Sequence, residues 1–302
     1  MSTQRERVDA RSDARGFVHL CGHLAALLLS GTVLLRLWTT VLMVPALLAY
    51  AFVLIFLFSA EHECVHRTAF RSRVVNDSVA AFAGIWLLLP SRWFRLFHAA
   101  HHRFTQDSAN DPELDGWKPP TRLGIVLQMT GLLYWKAMAT VVWSLIRGHA
   151  DVSFLPTGHR RNVVREARLL AVVYSTIGVA SLLFKSWLAV KLWVIPALVG
   201  QPMLRWYLIA EHTGCPVDHG TTAGTRTTLT NPVLRYFAWN MPFHSEHHAR
   251  PQVPFHRLPA EFQVQNVNRQ NAADSGLIDR GYLRTVSAIQ RDRWRRAVKT
   301  AR

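Results

Sequence analysis

Residues 39 to 60, TTVLMVPALLAYAFVLIFLFSA, contain no charged side chain. About 20 consecutive apolar residues are what a helix needs to cross the hydrocarbon of a bilayer. In lipid the backbone must satisfy its own hydrogen bonds, so a run of this length folds as a helix. Three more runs follow the same pattern: 17 to 38 (FVHLCGHLAALLLSGTVLLRLW), 168 to 184 and 187 to 209. Only Lys185 and Ser186 separate the last two. The expected architecture is an all-α integral membrane protein with four transmembrane helices in two hairpins. No small-residue cleavage site closes the first run, so the polar leader 1–16 and this run read as an anchor rather than a signal peptide.

Segments 78–97 and 121–146 are also apolar. Parity argues against crossing: a span over 121–146 would put the Arg-rich loop 147–168 on the far side, or split the histidine regions described below between two faces. Both segments are expected as interfacial or re-entrant helices. The domain organisation is then the leader, a membrane domain over 17–260, and a basic cytosolic tail over 261–302 that is helical at 283–300.

The net charge of +16 raises nucleic acid as a partner. No zinc-finger spacing or RNA-binding aromatic signature accompanies it. Instead, stretches 1–16, 61–122, 147–168 and 210–302 hold four, eight, five and thirteen of the 35 Lys and Arg residues. These lie in loops, tails and the very start of one span, the positive-inside pattern of a membrane protein. Cys21, Cys64 and Cys215 show no paired spacing, which excludes a disulfide framework and a cysteine metal site.

Histidine distribution is the most specific feature. Nine of the 15 histidines fall at four places, at membrane-helix ends or in loops on one expected face: His62 and His66 (HECVH), His98, His101 and His102 (HAAHH), His212 (EHTG), and His244, His247 and His248 (HSEHH). Residues three and four apart share a helix face, so each cluster presents imidazoles together. Neutral imidazole is a ligand for iron, zinc and copper. Nine exceed what one tetrahedral zinc uses, and two ions taking four or five each account for the number. His19, His23, His149, His159, His219 and His256 lack this spacing, and His19 and His23 within a span have no explanation from sequence.

A ligating imidazole needs its second nitrogen fixed by a carboxylate or carbonyl. Glu61, Glu63, Glu211 and Glu246 adjoin candidate ligands, and Asp107 and Asp111 follow the second cluster, so partners are expected among them. An apolar substrate needs a tunnel, for which 82–97 and 121–146 offer lining. Arg92, Arg95 and Arg205 are candidates for an anionic headgroup or carrier, with phospholipid contact as the plainer role, and Cys64 reads as a small packed residue.

HxxxH, HxxHH and HxxHH in that order, interleaved with two membrane hairpins, resemble the membrane-bound fatty acid desaturase and hydroxylase superfamily. HHRFTQDSANDPEL and NMPFHSEHHARPQVPFHRLP are similar to the bacterial fatty acid desaturase group. The resemblance covers about 40 to 260. It implies a di-iron centre on the nine histidines, with His212 as the extra ligand after the last span, and O2-dependent desaturation of an acyl chain. It also implies placement in the bacterial inner membrane with a cytosolic metal site and both termini cytosolic. Animal acyl-CoA desaturases carry an asparagine one turn before the extra histidine, where this chain has Leu208; Asn240, one turn before His244, is the nearby substitute. No fused cytochrome b5 motif or rubredoxin cysteine set is present, so a separate ferredoxin, rubredoxin or cytochrome b5 type donor is implied. The competing expectations are a hydroxylase or ketolase of an alkane, acyl lipid, carotenoid or other small apolar metabolite, a histidine-rich metal transporter, and a non-catalytic membrane scaffold, against which the intact histidine set argues. Transporters place ligands within broken spans rather than after them.

Overall fold

A computed structural model describes residues 11–114, 121–218, 222–269 and 277–299. Most of the leader, His219 and parts of the tail lie outside these residues. The fold is mostly helical. Four helices are long and apolar enough to cross a membrane: Asp13–Leu37, Met43–Val65, Thr157–Leu183 and Val190–His212.

Helix α1 (Asp13–Leu37) starts where the Ser12 side chain accepts from the Arg15 amide. Its two histidines now have a role. His19 Nε2 donates to the Tyr236 carbonyl at 2.9 Å and His23 Nε2 to the Val53 carbonyl at 2.9 Å. With that proton on Nε2, His23 Nδ1 accepts from the Trp239 indole at 3.2 Å. These bonds tie the first span to the second and to the segment leading into the last histidine cluster.

The second candidate span comprises α2 (Met43–Ile55) and α3 (Leu57–Val65), joined at Phe56. It begins and ends later than the expected 39–60, because residues 39–42 form a turn and the helix continues through His62. Likewise α8 (Thr157–Leu183) begins well before the expected 168, taking in part of the basic loop, since Pro156 precedes its first turn. The last span opens with a π-helical turn, Val190–Val194, and continues as α9 (Ile195–His212). Pro196 has no N–H for the Leu192 carbonyl, which accepts instead from the Tyr50 hydroxyl at 2.8 Å. Helix α9 packs on α2 rather than on α8. Leu28, Leu29, Leu182, Leu183 and Phe184 are more than two-thirds exposed, the outward apolar surface that lipid would cover.

The segments 78–97 and 121–146 are not single helices. The first is split between α4 (Arg73–Leu87) and α5 (Ser91–Phe104), which meet at 99°. Leu88 is left-handed (φ 56°) and caps α4, and the returning chain comes so close that a Cβ on Gly84 would sit 2.2 Å from the Leu89 carbonyl oxygen. Glu166 of α8 accepts from the Ser91 hydroxyl (2.7 Å) and the Arg92 amide (2.8 Å), placing a carboxylate at the N-terminus of α5. The second segment divides into α6 (Arg122–Met129) and α7 (Leu132–Ile146), bent by 70° at Gly131, whose φ of +78° suits glycine.

The expectation of an all-α fold needs one correction. Strands β1 (Arg226–Leu229) and β2 (Leu277–Arg280) pair in parallel, Arg226 opposite Leu277. Arg226 donates to the carbonyls of Ala210 and Thr213 and pairs with Asp279 at 2.9 Å, fixing the end of α9 against the sheet. Short helices α10 (Pro232–Phe237) and α11 (His244–Ala249) follow β1, and α12 (Leu258–Arg269) and α13 (Tyr282–Lys299) lie beyond residue 257. Trp239, Phe56, Phe70 and Phe255 are the largest fully buried side chains among the described residues, and they belong to the core that joins α3 and α5 to Phe243 and Val253, which flank α11.

Candidate metal centre

Each histidine cluster is aimed by a different device. His62 lies in the last turn of α3 and His66 just beyond it. The 99° bend points α5 back so that His98, His101 and His102 face them. His212 ends α9, and α11 carries His244, His247 and His248.

The nine imidazoles gather into two adjoining nests. His62, His66, His98, His102 and His247 each offer a nitrogen within 4.8 Å of the others; His101, His212 and His248 form a second such group, which His244 joins through His212. The nests abut where the His102 and His248 rings stack at 4.0 Å. Within the nests, Nε2 atoms approach to 3.0 Å (His98–His102 and His102–His247), 2.9 Å (His212–His244) and 3.2 Å (His101–His212). Nitrogens bound about 2.0–2.1 Å from one ion stand roughly 2.9–3.4 Å apart, depending on coordination number.

The donor set fits a cation on chemical grounds. His212 Nδ1 donates to the Gly224 carbonyl at 2.9 Å, which leaves its Nε2 as a lone pair. That lone pair faces Nε2 of both His101 and His244. One proton cannot serve two such neighbours, whereas one metal ion can. His248 donates from Nδ1 to the Thr105 hydroxyl at 3.1 Å, because that hydroxyl is itself committed as a donor to the His101 carbonyl at 2.8 Å. His248 Nε2 is then a buried acceptor without a hydrogen-bond partner. Burial, reinforced by neighbouring imidazoles, holds the pKa values of His244, His247 and His248 well below the ordinary histidine value. They are neutral at neutral pH, the form that ligates.

The acidic candidates separate by position. Asp111, fully buried, accepts from His101 Nδ1 at 3.0 Å and from the amides of Gln106 and Glu113. Burial alone would raise its pKa, but His101 and those amides outweigh it and hold the carboxyl below its usual range. Glu211 lies 3.7 Å from His244 Nδ1. Glu246 accepts from the Thr227 hydroxyl at 2.5 Å and Glu63 from the Phe255 amide at 3.0 Å. Glu61 is fully buried with neither carboxylate oxygen hydrogen-bonded. Asp107 caps its own turn through the amides of Ala109 and Asn110. Asn240, left-handed at φ 57°, bonds Arg235 and the Phe255 carbonyl. Asp107 and Asn240 are thus turn-forming residues with no hydrogen bond to any of the nine imidazoles.

Three imidazole partners escaped sequence reading: Thr105, the Gly224 carbonyl, and Glu113, whose carboxylate lies 3.4 Å from His101 Nδ1. Thr105 carried a signal, four residues after His101 on the same helical face. A backbone carbonyl carries none.

A cavity of about 920 Å³ adjoins the second nest, with His212 and Glu211 in its wall. Segments 82–97 and 121–146 both contribute lining, through Trp93, Phe97, Tyr134 and Met138 among others. Helix α13 lines one side, which the sequence did not foreshadow. Of the three arginines considered, Arg205 lines the cavity with its guanidinium 4.8 Å over the Tyr134 ring. Arg95 donates to the Val65 carbonyl and pairs with Asp77, and Arg92 offers its amide to Glu166, so both serve helix ends. Cys64 is buried in the core, as expected.

The model of the family described as fatty acid desaturase matches residues 36–277. Among curated proteins, the chain is 27% identical over 165 residues to the sn-1 oleoyl-lipid 12-desaturase of Picosynechococcus sp., covering 52% of this chain and 46% of that protein. It is 26% identical over 223 residues to the enzyme of the same name from Arthrospira platensis (67% and 62% covered). It is 25% identical over 220 residues to the sphingolipid delta(4)-desaturase of Candida albicans (67% and 56% covered). The matches therefore span 46% to 62% of the length of these relatives. A family match over residues 36–277, most of the chain, makes this protein a member of the fatty acid desaturase family.

Proposed function

We propose that the protein is an O2-dependent desaturase that introduces a double bond into the acyl chain of a membrane lipid or carrier-bound fatty acid. The observation that carries this reading is the pair of buried imidazole nests beside a largely apolar cavity. Two iron ions are the proposed occupants, one held by His62, His66, His98, His102 and His247, the other by His101, His212, His244 and His248. With two electrons and two protons supplied from outside, such a pair provides the O2-derived oxidant needed to take hydrogen from unactivated C–H bonds.

The chain's own residues do the rest. Asp111, Thr105 and the Gly224 carbonyl accept from the outer nitrogens of His101, His248 and His212, fixing tautomer and ring plane so that the inner nitrogens converge. Burial keeps His244, His247 and His248 neutral and excludes bulk water from the reacting site. Aromatic side chains of α5 and α7 give an acyl chain an apolar bed, so that its methylenes rather than its head reach the wall holding His212. The four candidate spans are proposed to anchor the enzyme in a bacterial inner membrane with the metal site and both termini cytosolic. A separate ferredoxin, rubredoxin or cytochrome b5 type protein is proposed to deliver electrons.

Mass spectrometry of lipids from a bacterial host expressing the chain, against the same host expressing His247→Ala, tests the reaction. A product lighter by two hydrogens and absent from the variant is expected. A product heavier by one oxygen would reassign the chemistry to hydroxylation.

A further inference from the structure

The cavity is graded along its length. Trp93, Phe94, Tyr134 and Met138 are buried and line its closed part. Arg296 and Asp292, which also line it, have side chains 77% and 54% exposed, so the cavity opens to the outside beside them. This mouth belongs to α13, which is tied to the membrane domain by Tyr282 stacking on Tyr207 at 5.5 Å and by Arg122 lying 4.8 Å over Trp294. Helix α13 follows the family-matched residues 36–277 and meets Gln128 within them through Arg293.

Of the basic residues of α13, Arg293 and Arg296 line the cavity, beside Asp292, while the acids Glu113 and Glu211 line it nearer the imidazoles. Arg296 pairs with Asp292 at 2.8 Å. Arg293 donates to the amide oxygens of Gln290 and Gln128, both neutral, and among the described residues no carboxylate pairs with it. A half-buried guanidinium among neutral partners leaves its charge for an anion from outside. An acyl group carried as an ester or thioester has no free carboxylate of its own, so an anion that arrives with it belongs to its head or carrier, where phosphate is the common anionic group.

Resting on the acyl-chain reading above, we propose that the α13 mouth is a phosphate subsite in which Arg293 and Arg296 hold the phosphate-bearing head of the substrate while the chain lies in the cavity. A lipid headgroup and a nucleotide-type carrier both supply this group. Guanidinium forks bind phosphate through paired charged hydrogen bonds. Asp292 opposes the anion and weakens the site.

Three probes sharing one fluorescent acyl chain test this on the full-length chain in nonionic detergent: a lysophosphatidylglycerol, an acyl-CoA and a neutral monoacylglycerol. At least one phosphate-headed probe is expected to bind about tenfold more tightly than the neutral one. That preference should vanish in Arg293→Gln/Arg296→Gln and persist in Arg293→Lys/Arg296→Lys, and Asp292→Asn should tighten binding of the phosphate-headed probe about threefold. Stronger binding of the lysolipid identifies a lipid headgroup as the source of the phosphate, and stronger binding of the CoA probe identifies a carrier. Equal binding of the neutral probe, or a preference that survives the glutamine variant, would overturn the proposal. Should the glutamine variant fail to fold, the absence of tightening in Asp292→Asn would do the same. Lipid mass spectrometry in parallel keeps the two readings separate: an intact preference without oxidised product overturns the desaturase reading and leaves the subsite standing.

Discussion

Asp111 shows how much one side chain does at this centre. Its carboxylate holds His101 by Nδ1 and is itself held by two backbone amides, so the ring of His101 has one orientation. Asp111→Asn keeps the shape and weakens that grip. Metal affinity, measured by competition with a chelator, is expected to fall about 10- to 100-fold while the chain stays folded. An unchanged affinity would show that Asp111 does not orient a ligand. The histidines themselves predict a pH dependence. His244, His247 and His248 have folded-state pKa values far below the 6.5 of the unfolded chain. As pH falls through 6.5 the unfolded chain takes up protons that the folded chain does not, so stability is full above that pH and declines below it. Each such histidine contributes a slope of up to about 1.4 kcal/mol per pH unit. Thermal unfolding in detergent should therefore be flat above about pH 7.5 and worsen steadily toward pH 5; a flat profile across that range would contradict the burial of neutral imidazoles. At this scale the sequence was most legible where spacing encodes a face: the clustered histidines meet because i, i+3 and i+4 positions meet. It was least legible for Asp107 and Asn240, whose proximity in sequence to ligands hid the fact that their local turns use up their hydrogen bonds.

The bend between α4 and α5 decides whether the second histidine cluster reaches the first. Hydropathy across 78–97 describes one apolar segment, because Trp, Leu and Phe continue through it; the corner is made by Leu88 in the left-handed region, Pro90, and the bare Cα of Gly84 against the Leu89 carbonyl. A sequence pattern reports which residues are apolar, not where a carbonyl will lie. Gly84→Ala places a Cβ within 2.2 Å of that backbone oxygen and so must move the corner. The expected cost is about 1–3 kcal/mol in stability. Metal occupancy should fall with it, since α5 carries three of the nine histidines; loss of stability with full occupancy would mean that the bend does not aim the site. The four long spans were foreseen because length and lack of charge suffice for them, with ends shifted by local chemistry such as Pro156 at the start of α8 and the turn at 39–42. The small parallel sheet had no such signature: its strands are four residues each and lie far apart in sequence.

Across the whole molecule, the two nests draw on α3, α5, α9 and α11, elements spread from residue 57 to residue 249, so any ion bound there couples distant parts of the chain. That coupling gives the buried histidine assembly a reason to exist: without a cation, the inward lone pairs of His212 and His248 would be left buried without a fitting donor. The most direct measurement is elemental analysis of metals in the purified full-length chain, alongside His66→Ala and His248→Ala, one change in each nest. The account predicts two iron atoms per chain, with each variant losing at least one. A single zinc per chain, or a metal content that neither variant alters, would contradict it.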